Sequence, residues 1–77
     1  MFKIYHLKVG DKGKIVEIKA GKQLKHRMKS FGIYQGVEFE VKSFSLGKNN
    51  VELQVGSSLV ALRKGEMDKI DIEKLGE

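Results

Sequence analysis

The sequence contains no cysteine, which excludes disulfides, cysteine-ligated zinc, iron–sulfur clusters and thiol catalysis together and fits a reducing cytosol. Long hydrophobic runs are missing too. The longest is Leu59-Val60-Ala61-Leu62, far short of the ~20 apolar residues of a membrane-spanning helix. At the N-terminus charged and apolar residues alternate, unlike the apolar stretch of a secretory signal, so a soluble, cytoplasmic protein with no direct membrane insertion is expected. Length is a third shortage. A chain of 77 residues cannot form a strand-helix barrel of roughly 250 residues, and it is expected to make one domain over residues 1–77. Phosphate-binding loops and dinucleotide glycine fingerprints are absent, and no serine stands with a convincing histidine and acid partner. The chain is therefore not expected to be an enzyme. His6 and His26 are the only histidines, and neither has a second ligand at metal-binding spacing. Surface or rim roles are expected for both, with no metal site and no cofactor.

What the chain does have is an ordinary globular balance, 40% apolar and 32% charged residues, so it is expected to fold. A core of this size seldom supplies more than ~3–5 kcal/mol of net stability. Without disulfides, packing must provide it. The net charge of +5 is unevenly spread. Residues 1–29 hold nine lysines and arginines against Asp11 and Glu17, a net of +7, whereas residues 30–77 come to −2. Such asymmetry favours encounter with an acidic partner, whether nucleic acid, anionic lipid or a protein face.

Period-two alternation marks the strands. Val37, Phe39 and Val41 fall on one face of Val37–Lys42, and Val51–Val55 repeats the pattern. Leu46–Asn50 and Gly56–Ser58 read as hairpin loops around them. Ile15–Ile18, the apolar run after Ser58 and Ile70–Ile72 complete about five short strands. Phe44 breaks the alternation, which predicts a bulge or bend near Ser43. Short bent strands suggest a small, partly closed β-barrel, because curling limits exposed edges.

One segment has a different period. In 22–32 the apolar positions are Leu24, Met28 and Phe31, which share a face at 3.6 residues per turn, with Gly21 before them and Gly32 placed to cap the end. A short helix is therefore expected after the first strand. Lys22, His26 and Lys29 face away from its apolar stripe, and Lys25 and Arg27 flank it. No acidic residue lies between Glu17 and Glu38 to neutralise this cluster, in which Lys19 is also counted. Nucleic acid binding would call for exposed aromatics beside these cations. Phe31 and Phe39 are expected inside, leaving Tyr5, Tyr34, Phe44 and Phe2 uncommitted.

Glycine placement carries a further signal. The chain runs Ile4-x-x-Leu7-x-x-Gly10-x-x-Gly13-x-Ile15, then Arg27-Met28-x-x-Phe31-Gly32-Ile33-x-x-Gly36, and later Ala61-Leu62-Arg63 before Ile70-x-Ile72. Turn formation explains Gly10 and Gly13 ahead of the first strand, and Gly32 and Gly36 after the helix. Over residues 4 to 72 this order and spacing resembles the FeoA family, small cytosolic proteins of bacterial ferrous-iron uptake. Members usually carry Pro where Gln35 stands, Leu at Met28 and Phe31, and Ala at Met67, and this chain has no proline. The resemblance implies a mainly β fold, an SH3-like barrel of about five strands with one helix inserted after the first. It also implies a non-enzymatic accessory protein that docks on the cytosolic GTPase region of the FeoB iron transporter and regulates or assembles it; lacking an obvious iron site, the chain is expected to regulate iron flow without carrying iron. Lys22, Lys25, His26, Arg27 and Lys29 are the expected partner-binding surface. Nucleic acid is the alternative partner of a small basic barrel. A related barrel also forms the C-terminal module of metal-dependent transcriptional repressors, which carry a helix-turn-helix domain for which this chain has no room.

Overall fold

Alternating residues become five antiparallel strands in the computed structural model, which describes residues 2–76. The strands are β1 (Lys12–Ile18), β2 (Glu38–Phe44), β3 (Asn50–Val55), β4 (Ser58–Arg63) and β5 (Ile70–Leu75). They form one sheet in the order β4-β3-β2-β1-β5. Each strand contributes two buried aliphatic or aromatic side chains to a single core, from Ile15 and Ile18 of β1 to Ile70 and Ile72 of β5. Only a curled sheet lets all five strands share one core. The SH3-like arrangement expected from the sequence is thus what the chain adopts. Burying each such side chain stabilises the fold by about 1.5–3 kcal/mol before the entropy of ordering is subtracted.

Two bulges produce the curl. Register shifts between Val41 and Ser43 where β2 meets β3, at the bend expected near Ser43. A second shift lies between Ile15 and Glu17, where β1 meets β5. It lets Ile15 and Ile18, three residues apart, both point inward. The sequence reading missed this one, although adjacent Ile15 and Val16 already break strict alternation.

The inserted helix α1 runs Lys22–Ser30 after Gly21. It closes over the core with Met28 fully buried, while Leu24 packs against the core in part. Phe31 differs from expectation. The helix ends before it, leaving Phe31 at the C-cap, 38% exposed, not on a buried stripe. Gly32 follows with φ +90°, the left-handed conformation that glycine adopts most cheaply.

Gly13 also differs. The strand starts earlier than expected, so Gly13 lies inside β1 and not in the turn; Gly10 (φ +94°) makes that turn. A Cβ at Gly13 would stand 2.5 Å from Phe39 Cζ. The missing side chain makes room for the Phe39 ring. A one-turn helix, α2 (Lys64–Met67), joins β4 to β5 and buries Met67. At the other end a 3-10 turn, Ile4–His6, buries Ile4, and Phe2 bridges Ile72 to cover part of β5.

Candidate functional site

The exposed face of α1 is set by helical geometry. At roughly 100° per residue, positions i, i+3, i+4 and i+7 share a face. Lys22, Lys25, His26 and Lys29 have that spacing, and with Gln23 they surround a shallow surface recess. Met28 holds the opposite face in the core. Lys25 and Lys29 also border a second recess of about 460 Å³, whose lining includes Val16, Ile18 and Ile33 as well as Glu17, Tyr34 and Gln35. The two lysines therefore form a ridge between the depressions.

Arg27 does not join this group. It points to another side of the helix, where its guanidinium lies 5.7 Å from the centre of the Phe31 ring. There it borders a depression with Ala61, Arg63 and Glu66. Of the five expected surface residues, four are brought together and one is set apart.

Lys19 leaves the cluster for an electrostatic reason. Its Nζ lies 3.2 Å from Asp71 Oδ2, while Lys3 Nζ donates to Asp71 Oδ1 at 2.7 Å. Lys3 also donates to the Asp68 carbonyl at 2.8 Å. Asp71 is the buried charged residue of the described chain, 6% exposed, and a charge so placed needs such partners. The hydrogen bonds from Lys3 and then Lys19 hold its carboxyl below the usual carboxylate range, and the Asp71 hydrogen bond raises the Lys19 ammonium. By contrast, Lys22, Lys25, Arg27 and Lys29 form no ion pair among the described residues. Their charge is free to meet a partner.

The histidines separate in role. His6 Nδ1 accepts the Lys3 backbone N–H at 3.0 Å, and its ring meets those of Tyr5 and Phe2 edge-on. It fastens the N-terminal turn. His26 is exposed on the basic face. Among the described residues no group of three or more His, Cys, Asp or Glu side chains is placed to hold a metal ion. No helix among them is long and apolar enough to cross a membrane.

The uncommitted aromatics also divide. Tyr5 and Phe44 pack in part against the core, each with a lysine ammonium over its ring, Lys64 at 5.1 Å and Lys48 at 4.7 Å. Tyr34 and Phe2 stay exposed, at 47% and 54%. Tyr34 thus stands beside Lys25 and Lys29 on the second recess, a neighbourhood that the sequence reading did not assemble. Its proximity to the helix C-terminus was the available signal.

The FeoA domain model matches residues 2–74. No curated protein matches the chain in sequence. Among solved structures, the FeoA protein from Chlorobium tepidum superposes with a TM-score of 0.86 at 23% identity, covering 97% of this chain and 71% of that one. A crystal structure of an iron uptake regulatory protein, FeoA, gives 0.85 at 26% identity over 96% of this chain and 97% of the other. A manganese-dependent transcriptional repressor gives 0.84 at 20% identity. That similarity spans 96% of this chain but only 36% of the repressor, and at this identity it shows a common fold.

Proposed function

The chain belongs to the FeoA family, which ties it to ferrous-iron transport, and from that premise we propose that it is a non-enzymatic accessory protein docking on the cytosolic GTPase region of a FeoB-type transporter. One observation carries the choice of surface: Lys22, Lys25, His26 and Lys29 share one exposed helix face, and its three lysines have no ionic partner among the described residues. Exposed cations lose little on approaching an acidic face and accelerate the encounter. Arg27, on another side of α1, lies outside this contact. A cytoplasmic position beside the membrane, held through the transporter, follows from this reading.

Charge reversal tests it. The triple variant Lys22→Glu, Lys25→Glu, Lys29→Glu alters exposed side chains only, so its thermal unfolding should stay close to that of the parent. Its affinity for the isolated GTPase domain should fall by about tenfold or more at low salt, and the difference should shrink as salt rises. Equal affinities at low and high salt would remove α1 from the contact.

Nucleic acid is a second reading, favoured by exposed Tyr34 beside Lys25 and Lys29, since a ring flanked by cations can stack a base. Saturable binding to a mixed single-stranded oligonucleotide, lost in Tyr34→Ala and falling steeply with salt, would support it.

A further inference from the structure

The sheet protects its two edges unequally. β5 carries Asp71, Glu73 and Lys74 and is partly covered by the Phe2 bridge. Charges and covering segments of this kind stop an edge from pairing with other chains. β4 has neither protection. Its pairing with β3 runs from Asn50↔Arg63 to Val55↔Ser58 without a bulge, and its only charged residue is the last, Arg63. Beyond the ladder with β3, no backbone group of residues 58–63 has a backbone partner among the described residues.

Beside this open edge lies a groove of mixed polar and apolar lining. Ser30 and Phe31, at the end of α1, border one part of it together with Leu59 and Ala61 of β4. Phe31 and Ala61 continue into the adjoining depression with Arg27 and Arg63. Leu59 is 60% exposed, an unusual position for leucine on an unprotected edge. Glu66 also borders the cationic end, but its Oε1 already accepts the Arg63 N–H at 2.9 Å. Arg27 and Arg63 against Glu66 leave that end a surplus of one positive charge.

We infer that the β4 edge is a second docking surface, which takes an extended partner segment as an added antiparallel strand, with a carboxylate at the segment's N-terminal end meeting Arg27 and Arg63. Antiparallel pairing sets that polarity, because Arg63 ends β4. Backbone pairing would supply affinity, and the depression bordered by Phe31 and Leu59 would select an aromatic or branched side chain. Charge complementarity favours a segment with a carboxylate over a second copy, because antiparallel pairing of two β4 strands would set Arg63 opposite Ser58 and leave Arg27 and Arg63 without a carboxylate. The surface is separate from the lysine face of α1.

The capped hexapeptide Asp-Thr-Val-Phe-Val-Thr is a suitable probe for an amide-shift titration of the labelled chain. Saturable shifts should concentrate on residues 59–63 and Phe31. Exchanging the peptide's Asp for Lys, or introducing Arg27→Glu, should weaken binding about fivefold. Leu59→Lys, at an exposed position, should weaken it about tenfold. Proline at the peptide's first valine should abolish it by removing a backbone donor. The triple lysine reversal on α1 should leave peptide binding unchanged, which separates this surface from the proposed FeoB contact. Absence of saturable shifts, equal binding of the proline peptide, or β4 shifts that follow protein concentration without peptide would overturn the inference, the last by giving the edge to a second copy.

Discussion

At Gly13 the space that a side chain would fill is taken by the Phe39 ring, which is itself buried. Adding one methyl there forces the ring aside in a packed core. Gly13→Ala should therefore destabilise the fold by about 1–3 kcal/mol, read as a fall in Tm of about 4–8 °C for each kcal/mol. An unchanged melting curve would show that the ring can shift freely. Asp71 offers a prediction that depends on pH. Its folded pKa is lowered by Lys3 and Lys19, so its contribution is complete above the ordinary carboxylate value of about 3.9 and is lost as the pH falls through the lower folded value. Asp71→Asn should lower Tm at neutral pH and flatten the acid side of a Tm-against-pH curve, bringing variant and parent together in strong acid. A constant difference at every pH would contradict the ion-pair account. Both roles were hidden from sequence reading for physical reasons. The start of β1 is set by pairing with β2 and β5, and Lys19 meets Asp71 only after the chain has folded back.

Elements whose residues carry their own periodicity were the most legible. The alternation of Val37 to Val41 and Val51 to Val55, the 3.6-residue spacing of Leu24 and Met28, and the break at Phe44 all reflect local chemistry. They reappear as β2, β3, α1 and the bulge at Ser43. α2 was not anticipated, because one turn is too short for a period. Its signal was Glu66 three residues after Arg63, a carboxylate placed to accept the Arg63 N–H. At the start of α1 the cap is weak: Gly21 has the extended backbone of an N-cap but no side chain to accept the first amides. Gly21→Ser supplies that acceptor and should raise stability by a few tenths of a kcal/mol. Circular dichroism melting checks the direction, and a lowered Tm would show that the serine oxygen does not reach the helix amides.

On the scale of the molecule, charge and burial are coupled by the position of α1. The helix commits Met28 to the core and so turns Lys22, Lys25, His26 and Lys29 outward. Sequence reading located this face, because local spacing fixes it. It could not place Arg27 beside Phe31 and β4, or Tyr34 beside Lys25 and Lys29, since both depend on how the helix end meets the sheet. Nor could it show that β4 would be the less protected edge, because strand order arises from long-range pairing. The most direct measurement is an amide-shift titration of the isotope-labelled chain with the FeoB GTPase domain, at low salt and at about 1 M salt, where the Debye length contracts to about 3 Å. The predicted result is saturable shifts centred on Lys22, Lys25, His26 and Lys29, weakened at high salt. Saturable shifts centred elsewhere and indifferent to salt, or no shifts while an oligonucleotide moves Lys25, Lys29 and Tyr34, would contradict it.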